Sequence, residues 1–380
     1  YYKPMQTLVV PQGSFALARY PQRVHDPLRA WDAADEYLLH YLHAEGLPAP
    51  ESSLLILNDG CGALAVALMA NRPQSLSDSH LAHRATLANA DHNHRNPNNL
   101  CLLTSLDNPT GPLDLVLCKI PKTLALLQDQ LHRIRPYCHP HTRFIGAGMV
   151  RSIHSSTLKL CEYTIGPTHT SLANKKARLI FCEYDANLNP GPSPYPTSYT
   201  LKSSDYTLIN HANLFSRERL DIGTRLFLEQ IPSSDAPAHV ADLGCGNGVI
   251  GLVAAARNPS AELYFADESF MAIAAAQTNF SAAFPNRAAT FAITDGLVDT
   301  PKNSLDLVLC NPPYHQQRAV DEATAWRMFR QARAALRRGG SLWVVGNYHL
   351  GYHGKLKRLF GRCITIAHNH KFITLKATKH

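Results

Sequence analysis

Val240-Ala241-Asp242-Leu243-Gly244-Cys245-Gly246-Asn247-Gly248-Val249-Ile250-Gly251 decides the fold of this chain. An apolar run ends at Asp242-Leu243, glycines follow at 244, 246 and 248, and small apolar residues continue to Ala256. That order predicts strand, tight turn and helix, because glycine lets a backbone turn sharply and approach a ligand closely. A dinucleotide-binding fingerprint would need its third glycine at 249, and that position is Val249. The loop therefore departs from a pyrophosphate cradle.

Three more strand ends follow downstream. Glu262 to Asp267 predicts a second strand ending in an acid about 20 residues past the loop, where an acid can accept hydrogen bonds from ribose hydroxyls. Asp267 is the first choice for that role and Glu268 the second. Phe291 to Gly296 predicts a third strand carrying Asp295, and Leu305 to Cys310 a fourth, buried one. The fourth is stopped by Asn311-Pro312-Pro313-Tyr314, whose prolines stiffen the loop beyond it. An amide, a main-chain carbonyl and a ring held together can grip a flat group bearing an amino nitrogen. Asn311 and the Pro312 carbonyl would accept its hydrogen bonds while Tyr314 stacks on its plane. All these features fall at C-terminal strand ends, on the edge where open α/β sheets bind ligands.

The loop resembles the D-x-G-x-G-x-G turn of class I S-adenosylmethionine-dependent methyltransferases. The resemblance implies that Asp242, Gly244, Cys245, Gly246, Asn247 and Gly248 wrap the methionine end of S-adenosyl-L-methionine. It also implies that Asp295 contacts the adenine, and that the product is S-adenosyl-L-homocysteine.

At 380 residues the chain is longer than one core usually supports, so two domains are expected. There is no apolar run of membrane-spanning length and no secretory signal pattern at the start, which is Tyr1, so the true start is expected to be missing. Nine cysteines without CxxC pairing read as free thiols of a cytoplasmic protein. A net charge of +8 points to an anionic partner. From Gly354 to His380 the chain carries seven lysines and arginines and no acid, and Arg327, Arg330, Arg333, Arg337 and Arg338 follow the Asn-Pro-Pro-Tyr turn on a predicted helix. That pattern fits contact with nucleic-acid phosphate. His92-Asn93-His94 and Cys138-His139-Pro140-His141 have no matching second pair, so no metal is expected.

The chain also repeats itself. Asp114-Leu115-Val116-Leu117-Cys118-Lys119-Ile120-Pro121-Lys122 echoes Asp306 to Tyr314, and Gly60-Cys61-Gly62 echoes Gly244-Cys245-Gly246. On that alignment Asp78 falls near Asp267, Leu64 replaces Gly248 and Thr104-Ser105 stands at Thr294-Asp295. The expectation is an α/β protein of two tandem Rossmann-like class I methyltransferase domains. Each would be a mostly parallel seven-stranded sheet with helices on both faces. The first domain, 1–186, is expected to be a degenerate copy without cofactor binding. Residues 187–199 form a Pro-rich linker, and 200–380 form the catalytic domain. Lys119 and Lys122 would then grip RNA or hold the second domain.

Along nearly its whole length the chain resembles the tandem-domain bacterial rRNA guanine-N2 methyltransferases, the RsmC/RlmG group. The resemblance rests on Trp31 to Leu38, Pro121 to Leu127, Phe215-Ser216-Arg217, Leu220-Asp221-Ile222-Gly223 and Asn311 to Gln317. Tyr314 stands where relatives often carry Phe. The N-terminal segments are closer to the branch acting on the large subunit. That implies methylation of one 23S rRNA guanine, position 1835 in the family's usual rRNA numbering, with 23S rRNA or a large-subunit assembly intermediate as partner, no membrane, and a monomer. By resemblance, Phe215 and Asp221 lie in a segment closing over cofactor and base, and Arg318, Lys355, Lys357 and Arg358 join Lys119 and Lys122 in RNA binding. Rival expectations are a small-subunit rRNA enzyme, a methylase of a release-factor glutamine or of DNA adenine, and a non-catalytic RNA-binding assembly factor.

Overall fold

The structure is a computed structural model describing residues 5–22, 28–46, 49–202, 204–313 and 318–380. The chain forms two compact units, Tyr1–Tyr195 and Pro196–His380. Unit 1 begins with a hairpin, β1 (Gln6–Val10) and β2 (Gly13–Leu17). It continues through α1 (Ala33–Glu45), β3 (Leu54–Leu57), α2 (Ala63–Ala67), β4 (Gln74–Ser77), α3 (His80–His92), β5 (Cys101–Thr104) and β6 (Leu113–Lys119). It closes with α4 (Leu124–Ile134), β7 (Cys138–Met149), α5 (Ser155–Thr164), β8 (Thr168–Thr170) and β9 (Ala177–Glu183). Its sheet order is β5-β4-β3-β6-β7-β9-β8, with the pairings on both sides of β9 antiparallel and the rest parallel.

Unit 2 repeats this plan. A hairpin of β10 (Thr197–Thr200) and β11 (Thr207–Asn210) precedes α6 (Ile222–Gln230), β12 (Ala238–Leu243), α7 (Val249–Arg257), β13 (Ala261–Asp267) and α8 (Phe270–Ala283). Then come β14 (Thr290–Ile293), β15 (Leu305–Cys310), α9 (Arg318–Ala335), β16 (Leu336–Asn347), α10 (Tyr352–Phe360), β17 (Ile364–His368) and β18 (Phe372–Thr378). The sheet order, β14-β13-β12-β15-β16-β18-β17, is that of unit 1. Parallel neighbours need crossovers, so helices cover both faces of each sheet and the central strands are mostly apolar. Along β12 and β15, Val240, Leu307 and Leu309 pack with Phe227 and Leu252, while Ala241, Leu243, Val308 and Cys310 pack with Phe329 and Leu356 on the other face. The expected tandem α/β architecture is what the structure shows.

Backbone pairing sets the true register of the repeat and corrects the alignment read from sequence. Leu57 pairs with Cys118 as Leu243 pairs with Cys310, so Gly62, not Leu64, occupies the Gly248 position. Both glycines precede a helix at left-handed φ, 78° and 81°. At both, a Cβ would strike the following helix, at Thr86 Cα (2.7 Å) and at Ala276 Cα (3.0 Å). By the same pairing Ser77 matches Asp267, and Leu106 matches Asp295. Unit 1 therefore has no acid at either position: Ser105, expected at Asp295, falls at Thr294, and Asp78, expected near Asp267, falls at Glu268. Where unit 2 has Cys245, unit 1 has Asp59, whose buried carboxylate accepts from the backbone N–H groups of Gly62, Ala63, Leu64 and Ala65 at 2.9–3.0 Å. A carboxylate thus fills the start of α2.

One asparagine per unit ties the glycine turn to the hairpin. Asn89 donates to the carbonyls of Ala18 and Cys61 and accepts from Ala18 N. Asn279 does the same with Ile209 and Asn247. Both are buried, and each amide's hydrogens meet a partner, as burial demands. The first part of the proline-rich segment is tied to α4 and the residue after it: Arg135 Nη2 donates to the Leu188 carbonyl (2.6 Å), and Ser193 Oγ donates to Asp129 (2.6 Å).

Lys119 has a different role from the one read in sequence. Its side chain is 15% exposed and ion-paired to Asp32 (2.8 Å) and Asp35 (2.7 Å), the N-cap and third residue of α1. It is not available to RNA. Burial pushes Asp35 up to about 6 against the pull of Lys119. A carboxyl raised on folding favours the folded state most below its ordinary 3.8, and that contribution is lost as pH climbs through about 6, which leaves Lys119 to compensate the ionised group. Lys119→Met is expected to destabilise unit 1 by about 3 kcal/mol at pH 7.5 and by clearly less at pH 5. Denaturant unfolding at the two pH values checks this, and equal losses would overturn it.

Candidate active site

β12 has β13 on one side and β15 on the other, so the connections leaving it diverge and open a crevice at its C-terminal end. The glycine turn lies there. Gly244 and Gly246 have φ of 73° and 52°. No atom lies within 4 Å of a Cβ built on Gly246, and only the end of Met328 (3.1 Å) lies near one on Gly244. Gly246 faces open space and Gly244 the end of Met328, whereas Gly248 is required by packing against α8. The turn is fastened by the N–H groups of Gly244 and Cys245 donating to the Ala266 carbonyl (2.8 and 3.1 Å).

The carboxyls divide by environment. Asp267 accepts from Gly246 N and Ser269 N, each at 3.0 Å, binding the end of β13 to the turn and to the first turn of α8. Asp242 is buried, its Oδ2 accepting from Gly251 N at 2.8 Å, and its Oδ1 has no hydrogen-bond partner. Burial pushes its carboxyl up to about 8; the Gly251 N–H opposes this and the Asp267 charge adds to it. A buried carboxyl oxygen without a partner is costly, so Asp242 holds its proton until a neighbouring group completes its hydrogen bonding. The Cys245 and Cys310 thiols are held up by burial, which makes them packing groups rather than nucleophiles.

Asn311 leaves β15 with its amide nitrogen donating to Thr224 Oγ1 at 3.0 Å. Thr224 is buried in the first turn of α6, and its hydroxyl donates to Asp221, the helix N-cap, which also accepts from Gly223 N (2.9 Å) and Thr224 N (3.1 Å). Pro312 is buried beside Asn311. Tyr314, the expected stacking ring, lies outside the described residues, as does the side chain of Arg318.

Several expected site residues have other duties. Asn247 donates to Asn210 (2.9 Å) and accepts from Val249 N, so its side chain faces the protein. β14 ends at Ile293, leaving Asp295 in the turn beyond, ion-paired to Arg327 at 2.9 Å. Asp221 caps α6 and takes the Thr224 hydroxyl. Phe215 is 48% exposed, next to Leu214, which packs on Ala272 and Ala275. Glu268 is half-buried after β13. The basic residues also separate. Arg327 and Arg337 pair with Asp295 and Asp306, and Arg337 and Arg338 sit in β16 rather than on the helix. Lys355 pairs with Glu322 at 2.8 Å, while Lys122, Lys357 and Arg358 are exposed, Arg358 over the Trp326 ring. Among the described residues no His, Cys, Asp and Glu cluster could hold a metal ion, and no helix is long and apolar enough to cross a membrane.

The family model described as the RLMG N-terminal domain matches residues 5–186, and that of the methyltransferase small domain matches 205–376. A protein of Streptomyces griseus named ribosomal RNA large subunit methyltransferase G is 50% identical over 99% of this chain and 100% of its own. The chain belongs to the ribosomal RNA large subunit methyltransferase G family. A family member from Ectopseudomonas mendocina, with the same name, is likewise 50% identical over 99% of this chain and all of its own length. The T. thermophilus 16S rRNA N2 G1207 methyltransferase, RsmC, solved with AdoMet and guanosine, shares the fold at a TM-score of 0.74 and 21% identity, covering 100% of this chain and 99% of that one. This family's two model matches fall in the two units of the structure.

Sequence reading missed Thr224, Asn210 and Asn279, and placed Arg327 on a basic face rather than against Asp295. Only Asn279 left a signal, because Asn89 repeats it in unit 1. For Asp242 the sign of the pH effect is fixed by its raised value: its contribution to folding is full below 3.8 and declines as pH rises to about 8. Asp242→Asn is therefore expected to gain melting temperature relative to the parent as pH rises from 5 to 8. A difference that does not grow across that range would remove the assignment of a buried, proton-holding Asp242.

Proposed function

We propose that unit 2 transfers a methyl group from S-adenosyl-L-methionine to the exocyclic N2 amino group of one guanine in 23S rRNA, and that unit 1 is a non-catalytic copy. The observation that carries this reading is Asn311, an amide at the end of β15, standing across the strand switch point from the open glycine turn. Family membership supports the large-subunit RNA as substrate. The cofactor supplies an electrophilic methyl on a cationic sulfur. The residues of the turn fit it: Gly246 leaves room, Asp242 Oδ1 is a carboxyl oxygen without a hydrogen-bond partner, and Asp267 stands at the end of β13 for ribose hydroxyls. A cationic group brought beside Asp242 favours its ionised form.

The guanine amino group is a poor nucleophile because its lone pair is delocalised into the ring. Asn311 Oδ1 and the Pro312 carbonyl accept its two hydrogens, turn the lone pair out of conjugation and stabilise the positive charge that grows on nitrogen. The amine becomes strongly acidic once alkylated, so its proton can leave to water without a dedicated base. The target base must leave any helix to reach the crevice. Unit 1 lacks these groups: Lys119 replaces Asn311, and Ser77 and Leu106 replace the acids.

Asn311→Ala is expected to slow methyl transfer by about a hundredfold or more while cofactor affinity stays within about threefold. Methyl incorporation into unmodified 23S rRNA, with 16S rRNA as control, measures it. Full turnover by the variant, or label only in 16S rRNA, would sink the reading. Asp267→Ala is expected to weaken cofactor binding about tenfold or more, read by calorimetry; unchanged affinity would remove the ribose assignment.

A further inference from the structure

We infer that Thr224, backed by Asp221, is a positioning residue that decides which end of the Asn311 amide faces the substrate, and thereby restricts the site to hydrogen-bond donors such as amino groups. The inference rests on the reading of Asn311 given above and goes beyond it to a residue outside the clamp. An amide can be turned over with almost no change in shape, so an unanchored Asn311 would present its NH2 or its oxygen with little preference. Thr224 has one hydroxyl hydrogen, and it donates that hydrogen to the Asp221 carboxylate. Asp221 is held in place by the N–H groups of Gly223 and Thr224, so it stays an acceptor. Thr224 Oγ1 therefore has only lone pairs to offer Asn311, and at 3.0 Å it must meet the NH2 end. The amide oxygen is then the end directed elsewhere, and a group that lacks an N–H or O–H finds no partner there. Thr224 is 4% exposed, so water competes poorly for the bond.

The same three places carry a tie in unit 1. Asp32, Asp35 and Lys119 hold the positions of Asp221, Thr224 and Asn311: N-cap, third helical residue and the residue after the cysteine of the fourth central strand. There the tie is an ion pair, 2.7 and 2.8 Å long. Linking the helix to the strand end is thus common to both units, and an ion pair would serve that end alone. Unit 2 links them through neutral groups whose chemistry fixes the sense of an amide, a property with value only if the other end of the amide meets a ligand.

The test uses the full-length protein on unmodified 23S rRNA. Thr224→Val keeps the shape and removes the hydroxyl; Thr224→Ser keeps the hydroxyl. The expected result is that T224V lowers kcat by about tenfold to a hundredfold, with cofactor affinity within about twofold and melting temperature nearly unchanged, while T224S stays within about threefold of the parent. Asn311→Asp supplies the orientation control, since both carboxylate oxygens accept: in that background T224V should cost less than about threefold. Parent-like turnover by T224V, a loss that T224S shares, or a loss as large in the N311D background as in the parent would each overturn the inference. Failure of the proposed function looks different, because Asn311→Ala itself would then turn over normally. If N311D proves inactive, the contrast between T224V and T224S still decides.

Discussion

The left-handed turn at Gly248 is the constraint on which unit 2 depends. The chain leaves β12, turns at Gly244, Gly246 and Gly248, and enters α7 while passing so close to α8 that a Cβ at 248 would lie 3.0 Å from Ala276 Cα. That proximity lets Asn279 reach the Asn247 carbonyl from α8, and lets the Asp267 carboxylate reach Gly246 N from the end of β13. Any side chain at 248 would push the helix away and loosen both links.

Unit 1 keeps this constraint and surrounds it with different side chains. Gly62 makes the same approach to Thr86, and Asn89 makes the same bonds as Asn279. What differs is what fills the crevice: Asp59 saturates the N–H groups at the start of α2, and Lys119 is drawn in by two carboxylates. The same packing turn thus supports two different sets of side chains, and in unit 1 the charged groups serve one another.

Much of the fold was legible in the chain because its determinants are local. Leu305 to Cys310 and Val240 to Leu243 are apolar runs bounded by Pro and Gly, and both are strands. The short match of Gly60-Cys61-Gly62 to Gly244-Cys245-Gly246 misled by two residues, since two glycines separated by one residue look alike at either offset in one dimension. Strand pairing distinguishes them, because Leu57 and Leu243 must face the same neighbour. Lys119 misled for a similar reason: a lysine after a strand reads as solvated, and its partner Asp32 lies 87 residues earlier. The arginines after Asn311 read as one basic face, yet Arg327 and Arg337 have acids waiting across the sheet edge.

By itself the sequence determined the two α/β units, the turn with its three glycines, the strand-end acid Asp267 and the Asn-Pro-Pro turn. Each is encoded by residue types within one short segment, where backbone freedom, period and chain stiffness act. Tertiary structure alone decided which glycine is packed against a helix and which faces open space. It also turned Asn247 inward, left Asp242 Oδ1 without a partner and fixed the sense of the Asn311 amide. Those outcomes depend on distances between segments far apart in the chain, and hydrogen-bond direction and burial come into being only when such segments meet.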